Sequence, residues 1–116
     1  MLKKLETLEQ VYPLVKDDPV RPKLPAEWRI QNGREVYVLY DDQYAEQDPV
    51  FFDGARAVIC VAYTNGVAIT EKDLEQTTNP NTAMFYTVWS YDKGAGRQIV
   101  KEAASHTKQT KEDISR

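Results

Sequence analysis

Ala83-Met84-Phe85-Tyr86-Thr87-Val88-Trp89-Ser90-Tyr91 runs without a break into Asp92-Lys93-Gly94-Ala95-Gly96-Arg97-Gln98-Ile99-Val100. The first nine residues carry no charge and are dense in β-branched and aromatic side chains, which predicts a strand. The glycine pair ends that pattern. Beyond it Ile99, Val100, Ala103 and Ala104 fall at helical spacing, so a helix with one buried face follows directly.

Working toward the N-terminus, Arg56 to Thr64 is the most apolar stretch of the chain and lacks two-residue alternation, as a central strand covered on both faces does. Asn65-Gly66 ends it with a dipeptide suited to a tight hairpin turn. Thr70 to Asp73 reads as an N-cap and acidic first turn, predicting a short helix from Glu71 to Gln76, and Thr77 to Asn81 reads as a loop. Glu35-Val36-Tyr37-Val38-Leu39-Tyr40, after the Asn32-Gly33 turn, predicts another strand. Asp41 to Asp53 is an acidic loop with Phe51-Phe52 at its tip.

Leu2, Leu5, Leu8, Val11, Tyr12 and Val15 recur at spacings of three and four, so one amphipathic helix is expected from Leu2 to Val15, ending or kinking near Tyr12 because of Pro13. Pro13, Pro19, Pro22 and Pro25 predict an extended connection, with Trp28 anchoring its end on the core. Past Ser105 the residues are almost all polar, and Lys108 to Arg116 reads as a frayed or disordered tail. The expected fold is α/β in the broad sense (α+β): an antiparallel sheet of three to four strands, an N-terminal helix, and a C-terminal helix after the glycine loop. Residues 1–116 are expected to form a single domain.

Composition narrows the function. A net charge of −3 supplies no broad positive field for phosphate backbones, so nucleic acid is not the expected partner. No apolar stretch approaches the length of a bilayer span and the first residues turn polar too early for a signal peptide, so a cytoplasmic protein is expected. Cys60, the lone cysteine, lies inside the apolar run and reads as core packing in a reducing compartment. His106, the lone histidine, has no second metal ligand at a useful spacing and reads as an exposed helix residue; no metal site is expected.

A glycine pair at a helix N-terminus is a physical anion site: unpartnered amides and the positive end of the helix dipole point outward, and the missing Cβ lets a phosphate approach. Lys93 and Arg97 flank the pair. The Walker pattern G-x-x-x-x-G-K-S/T is absent, and the dinucleotide pattern G-x-G-x-x-G fails because Ile99 stands at its third glycine.

Tyr91 to Val100 resembles the acetyl-CoA pyrophosphate loop of the GNAT N-acetyltransferase superfamily, Arg/Gln-x-x-Gly-x-Gly/Ala. Gly94 and Gly96 match its two small positions, and Tyr91 departs at the Arg/Gln position. The resemblance makes Val36 to Tyr40, Arg56 to Thr64 and Ala83 to Tyr91 the second, third and fourth strands of that fold. It implies that the pantetheine arm of acetyl-CoA pairs with the backbone of Val88, Trp89 and Ser90, and that the pyrophosphate rests on Asp92 to Arg97, with Lys93, Gly94, Ala95, Gly96 and Arg97 as its contacts. The implied reaction is attack of a substrate amine on the thioester, its carbonyl polarised by a backbone N–H of the fourth strand.

The resemblance covers about the first two thirds of the family fold; the fifth strand and the helix with the usual tyrosine acid have no counterpart, so the domain is expected to be incomplete at its C-terminus. Glu35, Asp41, Asp42 and Glu71 are candidate bases for the amine, none standing out, and the catalytic residues are left unassigned. An unpaired strand from 83 to 91 also invites self-association or a partner chain. The alternative reading is therefore a catalytically inactive binding or assembly module that uses this strand edge.

Overall fold

The computed structural model describes residues 2–31, 33–40, 55–64 and 82–114, with side chains as far as residue 107. The acidic loop at 41–53, the turn at 65–66, the helix at 71–76 and the loop at 77–81 lie outside the described residues, as do Asp41, Asp42 and Glu71.

The N-terminal stripe divides into two elements. Leu2–Leu5 is a strand, β1, and Leu8–Val15 is a helix, α1. The boundary is Thr7, whose hydroxyl accepts from the Gln10 amide while the Gln10 side chain accepts from the Thr7 amide: a capping box that fixes where the helix begins. α1 contains Pro13 and still runs on to Val15. The proline-rich connection is not extended throughout. It folds into turns, with amides of Asp17, Asp18 and Leu24 bonded to carbonyls three residues back, and ends in a one-turn helix, α2, at Ala26–Arg29.

Three further strands follow, β2 at Glu35–Tyr40, β3 at Ala55–Thr64 and β4 at Thr82–Ser90, and then helix α3 at Ala95–Ile114. α3 continues well past Ser105, through a segment of strong helix formers such as Lys, Gln and Glu. The fold is α+β: among the described residues, a four-stranded sheet in the order β1-β2-β3-β4, every neighbour antiparallel, with three helices.

Both faces of the sheet are covered, which explains the unbroken apolar run of β3. Val36, Val38, Val58 and Cys60 face α1 and α2, joined there by Val11, Ala26 and Trp89. Tyr37, Leu39, Ile59 and Val61 face α3 and meet Ala95, Ile99 and Ala103. Trp28 anchors the connection as expected, its ring edge-on to Tyr86 with centroids 5.7 Å apart.

β4 carries a bulge that the sequence pattern does not announce. Cys60 pairs with Thr87 and Val61 with Phe85, so Tyr86 has no counterpart on β3. The extra residue places both Tyr86 and Thr87 on the α1 side of the sheet. Among the described residues no strand lies on the outer side of β4.

The glycine loop at the head of the last helix

Ser90 ends β4, and the chain turns through Tyr91 to Gly94 into α3. The Ala95 amide bonds the Asp92 carbonyl at 3.2 Å and the Gln98 amide bonds the Gly94 carbonyl at 3.3 Å, so the turn closes directly onto the first helical bond. Gly94 has φ +84°, where a side chain is strained, and open space lies where its Cβ would stand. Gly96 has an ordinary helical backbone, and a Cβ there would make only normal contact with the Ser90 side chain, 3.7 Å from its Oγ. The fold itself therefore requires glycine at 94 and leaves 96 optional.

The charges around the turn are unequal. Asp92 is answered by Arg56, Nε to Oδ2 at 3.1 Å. Lys93 and Arg97 are exposed, and among the described residues neither enters an ion pair. Tyr91, at the position where the resembling motif has Arg or Gln, is committed elsewhere. Its hydroxyl donates to Asp17 Oδ2 at 2.7 Å and accepts from Trp89 Nε1 at 3.1 Å, and partial burial together with the Asp17 carboxylate pushes the phenol up to about 12.

Backbone direction along β4 follows from one bond. The Tyr91 amide donates to the Arg56 carbonyl at 2.8 Å. In an antiparallel ladder, groups alternate in direction, so the backbone of Trp89 points to β3 and that of Val88 and Ser90 points to the outer edge. The Trp89 indole sits in the core on the α1 side, and Val88 packs against α3. At the bulge the Tyr86 carbonyl accepts from Arg21 Nε at 3.2 Å, which separates the loop-proximal part of the edge from the rest.

The remaining sequence candidates lie away from this loop. Glu35 starts β2, level with Val61, while the loop adjoins the Ala57 end of the sheet. Burial alone would raise its pKa, but hydrogen bonds from Tyr63 (2.6 Å) and Tyr37 (3.0 Å) and the Lys4 ammonium (2.9 Å) hold it below the usual carboxylate range. A carboxylate held ionised by three donors is a weak base. The same contacts and burial raise both phenols. Cys60 is fully buried, and its thiol is pushed up to about 11 despite Arg29 Nη1 at 3.6 Å, which suits packing and not nucleophilic attack. His106 is exposed, with its ring edge against Tyr37 at 5.2 Å.

Nothing in the sequence marks Arg29, the most buried polar residue among the described residues. Arg29 lies beneath the 18–24 segment, its side chain wholly buried and 2.7 Å from Asp18 Oδ2. Its other nitrogens donate to the carbonyls of Arg21 and Leu24. Asp18 also accepts from the Val20 and Arg21 amides and from Thr87 on β4. Burial would raise the Asp18 carboxyl, but these bonds lower it below the ordinary range.

Among the described residues no group of His, Cys, Asp or Glu is placed to hold a metal ion, and no helix is long and apolar enough to cross a membrane. No protein-family model matches the chain, and no curated protein and no solved structure matches it either.

Proposed function

We propose that the chain is part of a GNAT-like domain of the cytoplasm that binds acyl-CoA along the loop-proximal half of β4 and at the head of α3, and that it serves acetyl transfer from acetyl-CoA to an amine. The observation that carries this reading is the junction itself: outward-facing backbone groups at Val88 and Ser90 lead straight into a positive-φ glycine turn at the start of a 20-residue helix. An arm with amide groups has backbone partners along Val88 and Ser90. A pyrophosphate has the helix N-terminus, with Lys93 and Arg97 beside it and the one carboxylate of the turn, Asp92, already answered by Arg56. The bound ligand supplies the thioester that the amine attacks. The order of elements also favours this reading, because the three strands read from sequence stand second, third and fourth once Leu2–Leu5 is counted first.

A second reading has its own support. β4 is nine residues long and uncharged, which is the character of an edge that pairs with another chain, so an assembly module without catalysis is the rival. Isothermal titration with acetyl-CoA separates the two. Micromolar binding that is lost in Lys93→Glu/Arg97→Glu, at two exposed side chains beside the turn, and kept in Gly96→Ala supports the acyl-CoA site. A folded wild-type protein that releases no heat with acetyl-CoA, yet associates with itself as concentration rises, favours assembly.

A further inference from the structure

Opposite the α3 face, α1 and the 22–27 segment enclose an apolar trough of about 630 Å³. Tyr12, Val15, Pro22 and Leu24 line it, with Lys16 and Lys23 among its polar residues. A second hollow of about 370 Å³ shares Pro22, Lys23 and Leu24 and extends the trough past Val20 and Arg21. Tyr12 is 73% exposed and Val20 64%, so apolar surface at the trough and its extension stands open to a partner. Leu8, one turn before Tyr12, is exposed on the same helix.

The trough is held from below. Arg29 bonds the carbonyls of Arg21 and Leu24, and Asp18 bonds the amides of Val20 and Arg21, so the backbone beneath the exposed side chains is fixed by a buried ion pair. A surface ordered before binding loses less entropy when a partner arrives.

We propose that this trough docks an acidic amphipathic helix of a partner protein. Charge sets the sign: Lys16 and Lys23 enter no ion pair among the described residues, and they face one opposing carboxylate in the lining, Glu27. The prolines set the conformation. Pro13, Pro22 and Pro25 line the trough and have no amide hydrogen to offer, so they give an added strand no donor ladder to pair with, whereas a helix satisfies its backbone internally. The partner presents leucine-like anchors along one face to Tyr12, Val15 and Leu24, with glutamates flanking them toward the two lysines.

The test is a titration of the ¹⁵N-labelled full chain with a synthetic helical peptide bearing leucines on one face and glutamates on its flanks. Amide shifts confined to residues 11–27 are expected, and Lys16→Glu/Lys23→Glu weakens binding about tenfold. Tyr12→Ser, at a side chain exposed enough to leave folding intact, weakens it as well, while Gly96→Ala changes nothing. Three outcomes overturn the proposal: equal binding of a peptide with lysines in place of the glutamates, unchanged affinity in the double variant, or no shift with the peptide while vesicles of phosphatidylcholine and phosphatidylserine bind.

Discussion

Two carboxylate–cation clasps hold the two flanks of the sheet, and they use the same chemistry at different depths. Beside β4, Asp18 and Arg29 form an ion pair with both side chains wholly buried, and Thr87 on the strand donates to the carboxylate. Beside β1, Lys4 reaches Glu35 at 2.9 Å with two tyrosines donating to the carboxylate, but the lysine side chain is 47% exposed. Water can replace Lys4. It has no access to Arg29, so the β4 clasp is the one the fold depends on.

The largest expected effect comes from breaking the buried clasp. Arg29→Ala leaves Asp18 buried with no cation and frees the carbonyls of Arg21 and Leu24, at a cost of about 3–5 kcal/mol in urea unfolding. A loss well under 1 kcal/mol would mean the pair is not buried in solution. Arg29→Lys recovers only part of it, because an ammonium cannot reproduce the several directed bonds of the guanidinium.

Acid unfolding sharpens the contrast at intermediate size. Both carboxylates are held below their ordinary range in the folded chain, so each stabilises fully above its unfolded value, near pH 4, and that stabilisation is lost as pH falls through the lower folded value. Stability followed from pH 7 to pH 2 should therefore fall on the acid side. In Arg29→Lys the fall should begin at the same pH, which the unfolded carboxyl sets, but be smaller and level off at a higher pH than in the wild type, since the weaker partner depresses Asp18 less; an unmoved acid limb counts against the clasp. Lys4→Ala should give the smallest effect, below about 1 kcal/mol, with an acid limb close to that of the wild type.

Strand positions were readable because burial on both faces leaves a strong local mark. Glu35–Tyr40 was found where expected, and the other two long strands begin and end within a residue of the reading. β1 was hidden because Leu2 and Leu5 continue a helical spacing by coincidence. Thr7 followed by Gln10 three residues later was the available signal for the boundary, and it outweighs the stripe. α2 is too short for periodicity to register.

The glycine loop was legible as a local motif, whereas its surroundings were not. Nothing near Tyr91 in sequence says that Asp17 will take its hydroxyl, and an arginine is expected at the surface until Asp18 and Thr87 are brought beneath it by the fold. The β4 bulge is equally silent, since Tyr86 and Thr87 are both ordinary strand residues, yet it decides which face each takes.

The central claim is that the loop-proximal half of β4 and the head of α3 bind acyl-CoA, and backbone amide shifts on adding acetyl-CoA to the ¹⁵N-labelled chain test it most directly. The account predicts the largest changes at Val88, Ser90 and Lys93 to Arg97, with Thr87 and Trp89, whose amides are turned toward β3, much less affected. A folded protein whose amides stay unmoved at millimolar acetyl-CoA, or move only around the α1 trough, would contradict it.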